Sequence, residues 1–122
     1  MLLIRNYNVK VQQLILGLAG FLLLSAMAHA AEWQTDYDQA LIAATQAKKP
    51  MLLNFTGSDW CPPCIAMHKR VLSKPAFLEF AQKNLILLEV DFPRRTQLSA
   101  PMTQQNHRLK HQFQVESLPT LV

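Results

Sequence analysis

The sequence predicts an α/β fold in the part of the chain that follows residue 30. Two short apolar runs, residues 51–56 and 85–91, have the length and composition of buried strands. The segment between them has helical character, and a strand–helix–strand order implies two parallel strands joined by a right-handed crossover. The length of 122 residues allows one small domain and excludes a multidomain enzyme.

Residues 1–30 show the three-part pattern of a secretory signal peptide. Arg5 and Lys10 give a positive start, an apolar run of eleven residues follows, and a small-x-small cleavage site ends at Ala30. We expect cleavage there, because the run is shorter than the roughly 20 residues that a membrane span needs. An uncleaved membrane anchor is the alternative. In either case residues 31–122 are expected to be exported, to the periplasm if bacterial, where thiols tend to oxidise.

Composition and charge exclude several classes of function. The chain has 12 Lys and Arg against 8 Asp and Glu, and two of the basic residues lie in the leader. The charge that remains is too small and too scattered to predict a nucleic-acid partner. Two cysteines are too few for a scaffold of several disulfides.

The first helix of the exported segment is predicted over residues 35–48. Thr35, with Asp38 three residues later, is a plausible N-terminal cap, and Pro50 limits the helix at its other end. Trp33 has the spacing to share the apolar face of this helix.

The remaining elements alternate between helices and connecting segments. Proline is tolerated in a first helical turn, so the Cys-Pro-Pro-Cys segment is expected to begin a helix. The predicted order after the first strand is a turn at 57–60, a helix from 61 to 72 with a restart at 73–75, the second strand, a loop at 92–102, a helix over about 103–112, and a strand that begins at 121–122.

Cys61 and Cys64 stand at a strand-to-helix junction, and the residues leave three interpretations open. A stapling disulfide is the weakest, because so small a closed loop gives little stabilisation. A metal-binding module would combine the pair with a histidine, and the candidates are His68, His107 and His111. The two later histidines lie well beyond the spacing of about 12–15 residues that a compact zinc finger has.

The third interpretation is a redox-active dithiol, and the helix start favours it. Thiolate is the nucleophile in disulfide exchange, and only about 3% of an ordinary thiol is ionised at pH 7. The positive end of the helix dipole would stabilise a thiolate at Cys61. Cys64, at the third helical position, is placed to attack a mixed disulfide on Cys61. We therefore expect Cys61 to be the nucleophile and Cys64 the resolving thiol.

The residues between the cysteines indicate a direction. Pro62 and Pro63 have no N–H group to offer to the Cys61 sulfur, and no histidine adds a positive charge between the cysteines. A less stabilised thiolate corresponds to a lower reduction potential. These two prolines therefore favour a domain that donates electrons, as a reductase or isomerase, over a primary oxidant.

The exported segment resembles the thioredoxin superfamily over most of its length. The similarity comprises the strand at 51–56, Trp60 directly before the Cys-Pro-Pro-Cys segment, the strand at 85–91, and Leu118-Pro119-Thr120 near the end. The longer string FTGSDWC, with VDFP downstream, is similar to exported bacterial proteins of the thiol:disulfide interchange type.

The resemblance implies an enzyme that acts on protein disulfides. It needs neither an organic cofactor nor a metal, and an exported or membrane thiol reductase would supply its electrons. The resemblance also implies that Pro119 follows a cis peptide bond and lies against the cysteine pair. The Leu118 backbone would pair with an extended substrate segment, and Trp60 would form part of the docking surface. A membrane is a partner only if the leader stays uncleaved.

Two features depart from the family pattern. Asn54 stands nearest to the place where thioredoxins often carry a buried aspartate, and an amide cannot act as acid or base. Asp59 is closer to the cysteines and is expected to be solvated. The chain stops at Val122, so the βαβ half of a thioredoxin-like fold is present and the C-terminal ββα half is largely missing. We expect a C-terminally incomplete sequence, for which a non-catalytic binding fragment is a further alternative.

Overall fold

The structure, a computed structural model, describes residues 31–122. Its sheet contains the strands β1 (Trp33–Gln34), β2 (Met51–Thr56), β3 (Ile86–Asp91) and β4 (Thr120–Leu121). The strand order is β1-β3-β2-β4, with β3 parallel to β1 and β2 and with β4 antiparallel to β2. The predicted α/β class and the parallel β2–β3 pair are therefore confirmed, and the final strand lies beside residues 51–56.

The helices of this described segment are α1 (Tyr37–Ala47), α2 (Pro62–Met67), α3 (Pro75–Asn84) and α4 (Ala100–Gln112). A π-helical turn over His68–Leu72 continues α2. Prolines in the first turn begin α2, α3 and α4, where a missing N–H group leaves no helical hydrogen bond unmade. Between residues 31 and 122, none of the helices has the length and apolarity that a transmembrane span requires.

Different helices cover the two faces of the sheet, because side chains alternate between the faces along each strand. The main buried cluster lies on one face and joins both central strands to α1 and α4, through Ala40, Leu53, Phe55, Leu88, Val90, Leu109 and Val115. Asn54 and Glu89, which are paired across β2 and β3, point to the opposite face. Glu89 interacts electrostatically with His68 there, so α2 and its π-helical turn cover this second face.

The region of Trp33 differs from the prediction. Trp33 lies in β1, where it pairs with Leu87, and does not extend the apolar face of α1. Its ring stacks on that of Phe77 in α3, with the ring centroids 6.2 Å apart. A strand of two residues is too short to show an alternating pattern. Trp33 was therefore assigned to the helix that follows, because its spacing from the apolar residues of that helix fits a helical period.

The start of α1 also differs by one position from the predicted cap. Asp36, and not Thr35, is the N-cap, and its carboxylate accepts a hydrogen bond of 2.9 Å from the Gln39 N–H group. Aspartate is a stronger N-cap than threonine. The helix therefore begins at Tyr37.

The predicted loop at 92–102 is too long, because α4 already begins at Ala100. Ser99 is its N-cap and accepts a hydrogen bond from the Met102 N–H group. Pro101 lies inside the first turn of α4 and does not interrupt it. The boundaries of β3 and β4 differ from the predicted ones by a single residue.

Candidate active site

Cys61 and Cys64 lie where β2 passes through a tight turn into α2. The Cys61 N–H group donates to the Gly57 carbonyl at 3.0 Å, which closes the turn at 57–60. Cys61 is the N-cap of α2, with extended backbone angles, and Cys64 is at the third helical position. The structure thus places both cysteines at the helix N-terminus where the sequence predicted them.

The two sulfurs form a disulfide, with an S–S distance of 2.08 Å and a Cα–Cα distance of 5.3 Å. Both cysteines are buried, with 3% of Cys61 and 1% of Cys64 exposed, whereas Pro62 and Pro63 between them are exposed. The Ile65 N–H group donates to the Cys61 carbonyl at 3.0 Å. The two exposed residues between the cysteines are therefore residues without N–H donors.

The peptide bond between Leu118 and Pro119 is cis, as the resemblance implies. β4 pairs with β2 so that Thr120 lies opposite Phe55. One further step in this antiparallel register sets Pro119 beside Thr56, the last residue of β2. The cis-proline segment therefore lies at the end of the sheet from which the dithiol turn starts, and Leu118 and Pro119 are both half-buried there.

Trp60, directly before Cys61, is half-buried and held in one orientation. Its indole Nε1 donates to the Phe92 carbonyl at 2.7 Å, and the Arg94 guanidinium lies 3.6 Å from the ring centroid. A Cβ atom at Gly57 would be 2.7 Å from the indole and 3.0 Å from the Cys61 Cβ. The close approach of turn and indole therefore requires glycine at position 57.

The sequence led us to expect a solvated Asp59, but the structure shows its side chain engaged in hydrogen bonds. Its carboxylate accepts hydrogen bonds from three consecutive backbone N–H groups, those of Arg94 at 2.9 Å, Arg95 at 2.8 Å and Thr96 at 3.1 Å. These hydrogen bonds, led by that of Arg94 and joined by the Arg95 charge, hold the pKa of Asp59 below its ordinary value. Desolvation acts against them but does not prevail.

Ser58 adds a second connection between the same two segments. Its N–H group donates to one carboxylate oxygen of Asp91 at 2.9 Å, and its hydroxyl donates to the other. Together with Asp59 and Trp60, it fastens the turn at 57–60 to residues 91–96. We call this set of contacts the loop clasp.

The polar pair on the other face, Asn54 and Glu89, lies beneath the helix that carries the dithiol. Asn54 is 2% exposed, and its Oδ1 atom has no hydrogen-bond partner in the described part of the chain. Burial raises the pKa of Glu89, the Asp91 charge adds to this effect, and His68 opposes it. The sequence did not single out Glu89, because one acidic residue within an apolar run is also typical of a strand that ends near solvent.

The histidines of the metal alternative lie apart. His68 is exposed on the π-helical turn, whereas His107 and His111 lie on α4, where the His107 and Phe92 rings form a T-shaped pair with centroids 5.5 Å apart. No three His, Cys, Asp or Glu side chains within residues 31–122 come close enough together to hold a metal ion. The donor set that a metal-binding module needs is therefore not assembled in this segment.

Comparison with known proteins gives two curated relatives. The disulfide bond reductase DsbH of Chlamydia pneumoniae is 41% identical over 91 residues, which is 75% of this chain and 54% of DsbH. The thioredoxin-related protein DsbJ of the same organism is 34% identical over 90 residues, which is 74% of this chain and 26% of DsbJ. The chain thus spans about half the length of one relative and about a quarter of the other.

Solved structures and a family model extend the comparison. A DsbH oxidoreductase structure matches with a TM-score of 0.72 and 39% identity, over 80% of this chain and 67% of that one. A thioredoxin from Thermus thermophilus matches with a TM-score of 0.55 and 21% identity, over 77% and 64%, and so shows the fold alone. The family model described as Thioredoxin-like matches residues 32–122. The chain therefore belongs to the thioredoxin-like family and has its α/β fold.

Proposed function

We propose that this protein is a thiol:disulfide oxidoreductase that acts on disulfide bonds in other proteins through Cys61 and Cys64. The observation that carries the proposal is the disulfide between these two residues at the N-terminus of α2. The relatives named as a disulfide bond reductase and a thioredoxin-related protein support it. The sulfur pair itself carries two electrons, so the reaction requires neither an organic cofactor nor a metal.

The proposed reaction starts from the reduced pair. The Cys61 thiolate attacks one sulfur of a substrate disulfide, forms a mixed disulfide, and releases the other substrate sulfur as a thiolate that takes up a proton. The Cys64 thiol then loses its proton and attacks the Cys61 sulfur. This step closes the Cys61–Cys64 disulfide and releases the second substrate thiol, so that two electrons have passed to the substrate. The helix dipole stabilises the attacking thiolate at Cys61.

Substrate binding is proposed to involve Trp60, Leu118 and Pro119. An extended substrate segment would pair with the Leu118 backbone, as a short strand added at the sheet edge. Two observations support this assignment: the cis-proline segment shares the end of the sheet with the dithiol turn, and the Trp60 ring is fixed directly before Cys61.

The proposed direction is reduction or isomerisation. Pro62 and Pro63 have no N–H groups, and the Ile65 N–H group already donates to the Cys61 carbonyl, so few backbone donors remain for the Cys61 thiolate. We expect a reduction potential well below the value of about −120 mV that strongly oxidising relatives reach. A measured potential close to that value would overturn the proposed direction.

Residues 1–30, the predicted signal peptide, lie outside the described residues, and their role remains a prediction from the sequence. We propose that the protein works after export, in the periplasm if bacterial. Each cycle of substrate reduction leaves the dithiol oxidised, so a second exported or membrane thiol reductase must return two electrons to it.

An insulin-reduction assay with three proteins tests the proposal. The wild type should reduce insulin, Cys61→Ser should lose this activity, and Cys64→Ser should accumulate a mixed disulfide with the substrate because the resolving thiol is gone. Activity that survives in Cys61→Ser would contradict the assignment. If the wild type is also inactive, the alternative of a non-catalytic binding protein is favoured. A separate metal analysis of the reduced protein tests the other alternative, because tightly held stoichiometric metal would favour a metal-binding module.

A further inference from the structure

The Arg94 side chain places a positive charge beside the residue that precedes the dithiol. Arg94 is exposed, and its guanidinium lies 3.6 Å from the centroid of the Trp60 ring, one residue before Cys61. The hydrogen bond from the indole to the Phe92 carbonyl fixes the ring on which it stacks. A guanidinium that stacks through its flat face keeps its N–H donors at the edge, where they can bind a carboxylate.

Asp59, the acidic residue of the turn, is engaged by other groups. Asp59 accepts three backbone hydrogen bonds, and the side-chain charge that acts on it is that of Arg95. The clasp thus uses Asp59 and Arg95 to hold the loop, whereas the side chain of Arg94 is directed over Trp60. The loop clasp therefore presents a cation beside the dithiol.

A second group of cations lies along the residues that follow Cys61. A cleft begins at Pro62, directly after Cys61, and runs along α2 to the start of α3. Its lining contains no carboxylate and consists of Pro62, Ile65, Ala66, Lys69, Arg70 and Lys74. The exposed Ile65 side chain supplies apolar surface between these cations.

We propose that these two basic sides select protein substrates whose disulfide is flanked by aspartate or glutamate. The inference rests on the proposed function and adds a substrate class to it. Arg94 would bind a carboxylate on one side of the reacting cysteine, and the cleft with Lys69, Arg70 and Lys74 would attract acidic residues on the other. Complementary charge of this kind raises the rate of encounter and fixes the orientation of the partner.

Three disulfide-containing peptides that differ only in the flanking residues test the selection. The flanking positions carry Glu, Gln or Lys, and kcat/KM for reduction is measured with the whole chain. We expect about a fivefold preference for the Glu peptide over the Gln peptide, the upper range for one exposed ion pair. The preference should fall in 1 M salt, where the screening length drops to about 3 Å.

Two arginine variants locate the effect. Arg94→Gln should reduce kcat/KM for the Glu peptide more than for the Gln peptide, so that the preference becomes smaller than in the wild type. Arg108→Gln, which removes an exposed arginine of α4 that belongs to neither basic group, is the matched control and should leave the preference unchanged.

The outcomes separate this inference from the proposed function. Equal reduction of all three peptides by the wild type would overturn the selection and leave the oxidoreductase intact. An equal loss for every peptide in Arg94→Gln would also overturn it, because Arg94 would then act on the Cys61 thiolate and not on the substrate. If no peptide is reduced, the proposed function fails, and the inference fails with it.

Discussion

Glu89 and Asp59 are both carboxylic acids near the dithiol, and their surroundings move their pKa values in opposite directions. Three backbone N–H groups stabilise the charged form of Asp59 and lower its pKa. Glu89 lies half-buried beneath α2 near Asp91, and both the loss of water and the like charge favour its neutral form and raise its pKa. The free energy of unfolding should therefore respond to these two groups with opposite dependence on pH.

The variant Glu89→Gln tests the buried carboxyl. Because the folded protein binds this proton more tightly than the unfolded chain, the free energy of unfolding decreases as pH rises from the ordinary value of 4.5 through the raised folded value. Glutamine has the same shape without the charge. We expect the oxidised variant to melt a few degrees above the wild type at pH 7.5, and the difference to close as the pH falls to 4.

A pH series of thermal unfolding curves for both proteins measures this difference. Glu116→Gln, the same exchange at an exposed position in the segment after α4, serves as the matched control. A difference that stays constant from pH 7.5 to pH 4 would show that contacts of the amide, and not the buried charge, cause the change in stability.

At the scale of elements, β2 and β3 could be predicted because short apolar runs of this length form buried strands in a small α/β domain. The start of α2 followed from its prolines. β1 could not be predicted, because it owes its existence to the neighbouring edge of β3 and not to its own two residues. α4 was predicted too short because Pro101 is equally compatible with a loop and with a first helical turn.

The candidate site divides in the same way. The cysteine pair and the cis-proline segment could be predicted because their residue types and spacing rarely occur outside such a site. The loop clasp was missed because its hydrogen bonds join residues more than thirty positions apart and depend on backbone groups. The N–H groups of residues 94–96 donate to Asp59, and the Ser58 N–H group donates to Asp91. Every residue type except proline can supply a backbone N–H group, so the sequence of residues 94–96 gives no sign of the contact.

The loop clasp joins two elements, and Asp59→Asn tests what it does for them. An amide keeps one oxygen acceptor but loses the charge, so it cannot satisfy all three backbone N–H groups. We expect faster hydrogen exchange at the amides of residues 94–96 and a lower melting temperature at pH 7. The difference from the wild type should shrink as the pH falls below the ordinary value of 3.8, because the protonated Asp59 of the wild type loses the same contacts.

Exchange elsewhere in the chain provides the internal control for this variant. Amides in β2 and β3 should keep their protection, because the sheet hydrogen bonds do not involve the clasp. Unchanged exchange at residues 94–96 would show that other contacts hold the loop. In that case the position of Arg94 over Trp60 would not depend on the hydrogen bonds of Asp59.

At the scale of the whole molecule, the sheet separates the main core from the dithiol. The largest buried cluster lies between the sheet and the helices α1 and α4, whereas the dithiol helix and the Asn54–Glu89 pair lie on the other face. The reduction potential depends on the difference in stability between the oxidised and reduced forms, and not on the stability that they share. A change in the main core should therefore lower the stability of both forms equally and leave the potential unchanged.

The variant Leu109→Ala tests this separation. Leu109 is fully buried in α4, and truncation of such a leucine costs about 2–5 kcal/mol of the free energy of unfolding because it leaves a cavity. Leu41→Ala, at a leucine of α1 that is 44% exposed, is the matched control and should change stability by less than about 0.5 kcal/mol. Denaturant unfolding of the oxidised and reduced forms should show the same loss for Leu109→Ala, and a glutathione titration should give an unchanged potential. A shift of about 30 mV, equivalent to about 1.4 kcal/mol between the two forms, would show that the sheet transmits packing changes from one face to the other.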